Sequence, residues 1–144
     1  MAQAVASGAV LVHGAYADGS SWAGVIPRLQ AAGLEVIAVQ YPLTTLDAGV
    51  AVAKRAIALL PGPVVLVGHS FAGMIVTEAG VDPKVSALVY IAARGPDAGE
   101  DYGALAKSYP TPPASAGLVW TDGFGRLGEE AFLRRLPASP DSAR

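Results

Sequence analysis

What most restricts the fold of this chain is a set of four short, unbroken apolar runs: AVLV (Ala9 to Val12), VIAV (Val36 to Val39), VVLV (Val64 to Val67) and ALVYIA (Ala87 to Ala92). A strand with one wet face alternates apolar and polar residues, whereas a strand covered on both faces does not. The runs therefore predict strands of a parallel sheet. Helix-forming stretches separate them. The first spans about 24–32, with Pro27 in its opening turn and Gly33 placed to end it. The second begins after Thr44 and Thr45, reads LDAGVAVAKRAIALL, and stops at Pro61-Gly62-Pro63. The third follows Ser70 and runs to about Gly80. Strand and helix alternating in this order predict right-handed crossovers with helices on both faces of the sheet, an α/β fold.

Beyond Ala93 the texture changes. Gly, Pro, Ala and Ser dominate, Glu129 to Leu136 is the one stretch with a helical pattern, and the closing PASPDSAR offers no core residues. We expect residues 1–98 to form the α/β core and residues 99–144 a further segment with a loose tail. Of the 144 residues, 52% are apolar and 15% charged, which suits a packed core and argues against disorder. A net charge of −2 with no basic block gives no hold on nucleic acid or an anionic membrane. Cysteine is absent, so disulfides, thiolate metal sites and cysteine nucleophiles are excluded together. No G-x-G-x-x-G follows the first strand, and neither a cofactor nor a metal is expected. The opening residues carry no Lys or Arg ahead of that strand. Neither a signal peptide nor a membrane span is expected, and the cytoplasm is the default location.

The chemistry concentrates in VVLVGHSFAGMIV, which reads as a strand, a sharp turn holding Ser70, and a helix. A turn that tight needs small residues around the serine, and Gly68 and Ala72 stand two before and two after it, with Gly73 next. It exposes the serine oxygen at a helix N-terminus, where free N–H groups and partial positive charge favour a developing anion. A serine opening a helix as a simple N-cap is the plainer alternative. A second stretch, LVHGAYADGSSW, leaves the first strand. Acyl transfer needs two N–H donors aimed at the oxyanion, one after the nucleophile and one from a loop after an earlier strand. Phe71 fits the first role and Ala15, just after His13-Gly14, the second.

Taken in order, VLVHGAYADGSSW, AAGLEVIAVQYP, VVLVGHSFAGMIV and VSALVYIAA resemble the α/β-hydrolase superfamily, and within it the esterase and hydroxynitrile-lyase-like branch. The likeness runs from Ala9 to about Ala98, and GLVWTDGFGRL with EEAFL resembles the beginning of that branch's cap. It implies that the four runs are the third to sixth of eight strands, a hydrolase core lacking the last two. In space the second run would flank the first, then the third and fourth would follow, leaving ALVYIA at an edge. The resemblance implies Ser70 as nucleophile, Ala15 and Phe71 as backbone donors to an oxyanion, and His13, Gly14, Gly68, His69, Ala72 and Gly73 as support for turn and loop.

Members of the branch place their catalytic acid and histidine after the serine, in that order. Here no histidine follows His69. His69 adjoins the serine and should point to the other side of the strand, and His13 is expected to brace the oxyanion loop rather than act as a base. Asp97 follows the fourth run, where some relatives carry an acid, but GPDAGED is turn chemistry. Tyr16, Trp22 and Phe71 are candidate pocket walls, with Trp22 better placed beneath the first helix. The expected function is a serine esterase acting on a small carboxylic ester through an acyl-enzyme. Its alternatives are a non-catalytic remnant or small-molecule-binding module, and a hydroxynitrile-lyase-like enzyme completed elsewhere. The apolar edge at 87–92 is expected to be covered by the Gly/Pro-rich tail, to pair with a second copy, or to aggregate.

Overall fold

The structure is a computed structural model and describes residues 5–97 and 99–133. It divides into two compact units, Met1–Asp97 and Ala98–Arg144. In the first unit, strands β1 (Gly8–Val12), β2 (Glu35–Ala38), β3 (Val64–His69) and β4 (Val85–Ile91) form one sheet in the order β2-β1-β3-β4. Every pairing is parallel, with Gly8 opposite both Glu35 and Val64, and Leu66 opposite Leu88. Each expected strand is present, shifted by a residue or two at its ends.

Alternation along the strands sorts side chains into two cores. Val10, Val12, Val64 and Leu66 face helices α2 (Leu46–Leu59) and α3 (Ala72–Ala79), where Ala53, Ile57, Ile75 and Val76 meet them. Ala9, Leu11 and Val67 face the other way, against Trp22 and the α1 (Ile26–Ala31) residues Ile26 and Leu29. Both faces of β1 are thus covered, and all five of its residues are buried. That coverage is why its sequence does not alternate. A short 3-10 turn, Gly19–Trp22, precedes α1 and was not anticipated. Its Asp18 carboxylate accepts from the Ser20 N–H at 2.8 Å.

Local chemistry sets the ends of the long helix. Thr45 caps α2 by accepting from the Ala48 N–H at 3.1 Å. At the other end the Lys84 ammonium donates to the carbonyls of Ile57 at 2.9 Å and of Leu60, an arrangement that suits the negative end of a helix dipole. β4 closes one edge of the sheet. Leu88, Val89, Tyr90 and Ile91 are 37–43% exposed, unlike the central strands.

The second unit corrects one expectation. Besides α5 (Glu129–Leu133), it holds α4 (Tyr102–Ala106), a 3-10 turn and a two-stranded antiparallel hairpin of β5 (Leu118–Thr121) and β6 (Phe124–Leu127). Asp122 and Gly123, with φ of 49° and 82°, join the strands. Asp-Gly with both residues left-handed is the turn that matches strand twist, and Trp120 lies across Gly125, its cross-strand partner. The reading of Glu129 to Leu136 as helix is met to Leu133, and its remainder lies outside the described residues. No described helix is long and apolar enough to cross a membrane.

Candidate active site

β3 ends at His69, α3 starts at Ala72, and Ser70 sits in the turn between them with φ of 55°. A side chain in that region costs about 1–2 kcal/mol, so something must hold it there. Three backbone hydrogen bonds do so. The Ser70 N–H donates to the Ile91 carbonyl at 3.3 Å, and the Ser70 carbonyl accepts from Gly73 at 3.1 Å and from Arg94 at 2.9 Å. The chain leaving β4 therefore laces the turn from outside.

Space explains the small residues around it. A Cβ on Gly73 would lie 1.9 Å from the Arg94 carbonyl oxygen, and one on Gly68 would lie 2.9 Å from the Ala72 carbonyl oxygen. Ala72 itself is fully buried. Strand, helix and the β4 exit close on one another only because these side chains are missing or minimal. Phe71, half-buried, turns its ring into the α2–α3 core, so it is less a pocket wall than a core residue.

The loop after β1 comes to the same place. A Cβ on Gly14 would stand 3.0 Å from both the Ser70 Cβ and the His69 Nδ1, so the loop rests directly on the serine turn. His13 is buried, with its Nδ1 2.9 Å from the Gly14 carbonyl. A carbonyl can only accept, so Nδ1 carries the proton. The opposite nitrogen, Nε2, is buried and meets no partner among the described residues. Tyr41 was not singled out from the sequence, yet it touches this loop twice. Its hydroxyl donates to the His13 carbonyl at 2.7 Å, and its ring stacks on the imidazole with centroids 4.4 Å apart and planes 20° apart. Burial raises the Tyr41 pKa above its ordinary value, which keeps the hydroxyl a donor.

Strain gathers at this end of the sheet. Tyr16, Leu43, Ser70 and Ala92 are all left-handed, and each follows shortly after the carboxyl end of one of the four parallel strands. In open α/β sheets that edge is where ligands bind. The structure thus brings Gly14 against Ser70 and His69, with Ala15 and Phe71 next to them in the chain. Asp18 is exposed, its carboxyl held below the ordinary range by the hydrogen bonds with Ser20, Asp97 is exposed, and Asp122 forms the hairpin turn. The Ser70 hydroxyl makes no hydrogen bond to another described residue. No cluster of three metal-ligating side chains occurs among the described residues. A groove of about 680 Å³ is lined by second-unit residues such as Pro113, Leu118 and Glu129, and by none of the turn or loop.

Comparison with known proteins bears on the fold. The profile described as the alpha/beta hydrolase family matches residues 9–144. Polyneuridine aldehyde esterase is similar in structure, with a TM-score of 0.70 at 23% identity over 89% of this chain and 60% of that one. A variant of the pyrethroid hydrolase PytH gives a TM-score of 0.73 at 22% identity, over 90% of this chain and 59% of that one. Methylketone synthase I from tomato gives 0.60 at 20% identity, over 82% and 50%. The chain thus spans about 60% of the length of the first two. No curated protein sequence matches it.

Proposed function

The chain belongs to the alpha/beta hydrolase family, and from that premise we propose that Ser70 is the nucleophile of a carboxylic ester hydrolase acting on small esters. One observation carries the reading: a serine held left-handed at a strand-to-helix turn, with the Gly14 loop packed against its Cβ. A merely capping serine needs neither the strained backbone nor a second loop laid on it. Ser70 Oγ adds to the ester carbonyl carbon, and the oxygen that gains charge is received by the N–H groups of Ala15 and Phe71. The C–O bond to the alcohol breaks, the alcohol leaves with the proton that Ser70 gave up, and an acyl group remains on Oγ. Water then repeats the addition and frees the acid. The second unit, with its hairpin, corresponds in this reading to the beginning of the branch's cap segment.

The transfer needs a base, and the described residues offer none to the serine hydroxyl. His13 donates from Nδ1 to its own loop, which supports a bracing role. The reading therefore assigns the base to a group outside the described residues. Residual catalysis without it is of the order of a thousandfold over water, from oxyanion donors and binding alone. Release of p-nitrophenol from p-nitrophenyl acetate by the purified chain, set against Ser70→Ala, tests the proposal. Release above background that the substitution abolishes supports the ester hydrolase. Equal release by both favours the second reading, an elbow kept as architecture, for which the unpartnered serine hydroxyl speaks.

A further inference from the structure

Gly14 presents a conflict. The space beside Ser70 and His69 is tight for a side chain at this position, since a Cβ would stand 3.0 Å from each. Yet glycine is the residue with the most backbone freedom, and it lies between the β1 strand and the Ala15 N–H that must be aimed. A donor that wanders stabilises little, because preorganisation is what makes an oxyanion donor effective.

Two side chains resolve the conflict, each acting on one peptide plane. The carbonyl of His13 belongs to the same peptide as the Gly14 N–H, and the Tyr41 hydroxyl holds that carbonyl at 2.7 Å. The carbonyl of Gly14 belongs to the same peptide as the Ala15 N–H, and His13 Nδ1 holds it at 2.9 Å. No peptide bond among the described residues is cis, so the Ala15 N–H points opposite to the clamped Gly14 carbonyl. The imidazole that makes the second clamp is itself fixed by the stacked Tyr41 ring. Both planes flanking Gly14 thus depend on one buried side chain from the end of β2, distant in sequence from the loop it orders.

Resting on the ester-hydrolase reading above, we propose that Tyr41 is a positioning residue: by its hydroxyl on the His13 carbonyl and its ring on the imidazole, it fixes both peptide planes around Gly14 and aims the Ala15 N–H at the oxyanion. Tyr41 touches no substrate in this arrangement and acts wholly through His13 and the backbone. Its removal leaves the nucleophile and its turn in place.

The test uses the full chain and a fluorophosphonate that reacts with serine, in which an O–P bond forms and fluoride leaves. Tyr41→Phe keeps the ring and deletes the hydroxyl. Its maximal labelling rate at Ser70 should fall about tenfold while the half-saturating probe concentration holds, as expected when a donor is misaimed rather than lost. In parallel, 15N relaxation should show lower order at Gly14 and Ala15 in Tyr41→Phe, with Val10 and Leu66 unchanged. His13→Phe should produce the same local loosening, and the double variant should add little, since both act on one clamp. This second variant keeps the test open if Tyr41→Phe fails to fold. Wild-type labelling rates together with unchanged order at Gly14 and Ala15 would overturn the proposal. Should the wild type itself not label at Ser70, the hydrolase reading fails, and backbone order alone then decides the clamp.

Discussion

Ser70 and Asp122 share a backbone conformation, with φ of 55° and 49°, and nothing else. Asp122 opens a two-residue hairpin turn, a place where Asp adopts the left-handed region readily and Gly123 takes the next step. No atom of the described residues stands within 4 Å of a Cβ built on Gly123. At Ser70 the same angle is imposed from outside, by the β4 exit, by Gly68 and Gly73, and by the loop bearing Gly14. The comparison separates two uses of strain. In the hairpin it is the local geometry of a turn, whereas at Ser70 the tertiary structure over-determines it, which is the pattern of a functional site.

The largest effect that would break this contrast is at Gly73. Gly73→Ala drives a methyl into the Arg94 carbonyl, 1.9 Å away, and should destabilise the first unit by about 3 kcal/mol or more. Urea unfolding followed by the fluorescence of Trp22, in a Trp120→Phe background, measures it. Gly123→Ala meets only open space and unfavourable φ, so its cost should be about 1 kcal/mol, read from Trp120 in a Trp22→Phe background. Equal penalties at the two glycines would mean that packing does not lock the serine turn.

Replacing the strained residues themselves sharpens the point. Ser70→Gly should raise stability by about 1 kcal/mol, since it relieves strain and loses no hydrogen bond of the hydroxyl. Asp122→Gly should stay within roughly 0.5 kcal/mol of wild type. A gain from removing the proposed nucleophile is the signature of a position kept for function at a cost in stability. The smallest effect belongs to Asp18, whose folded pKa lies below the ordinary 3.8 because its carboxylate accepts hydrogen bonds from Ser20. Its contribution is complete above that ordinary value and disappears as pH falls through the folded pKa. Asp18→Asn should therefore flatten the decline in stability below pH 4, a difference that thermal melts across pH 3 to 6 resolve.

The core was readable because its rules are local. Unbroken runs marked β1, β3 and β4, Thr45 and Pro61 bounded α2, and Gly68, Ala72 and Gly73 marked the tight turn. The hairpin was also written locally, in Thr121-Asp122-Gly123-Phe124, but four-residue strands bounded by Gly117 and Gly128 are too short to show alternation. Tyr41 was not readable at all. Its place over His13 depends on the parallel pairing of β2 beside β1, and no spacing in the sequence announces that contact. The neighbouring Phe71 shows the converse. Its backbone role follows from its place after the serine, while its side chain went to the core, which only packing decides.

The most direct measurement is the intact mass of the chain after exposure to excess p-nitrophenyl acetate and acid quench, followed by peptide mapping, for wild type and Ser70→Ala. The account predicts one acetyl group on Ser70 in the wild type and none on the variant's corresponding peptide. Acetylation that leaves Ser70 untouched, with equal mass gain in both proteins, would contradict it.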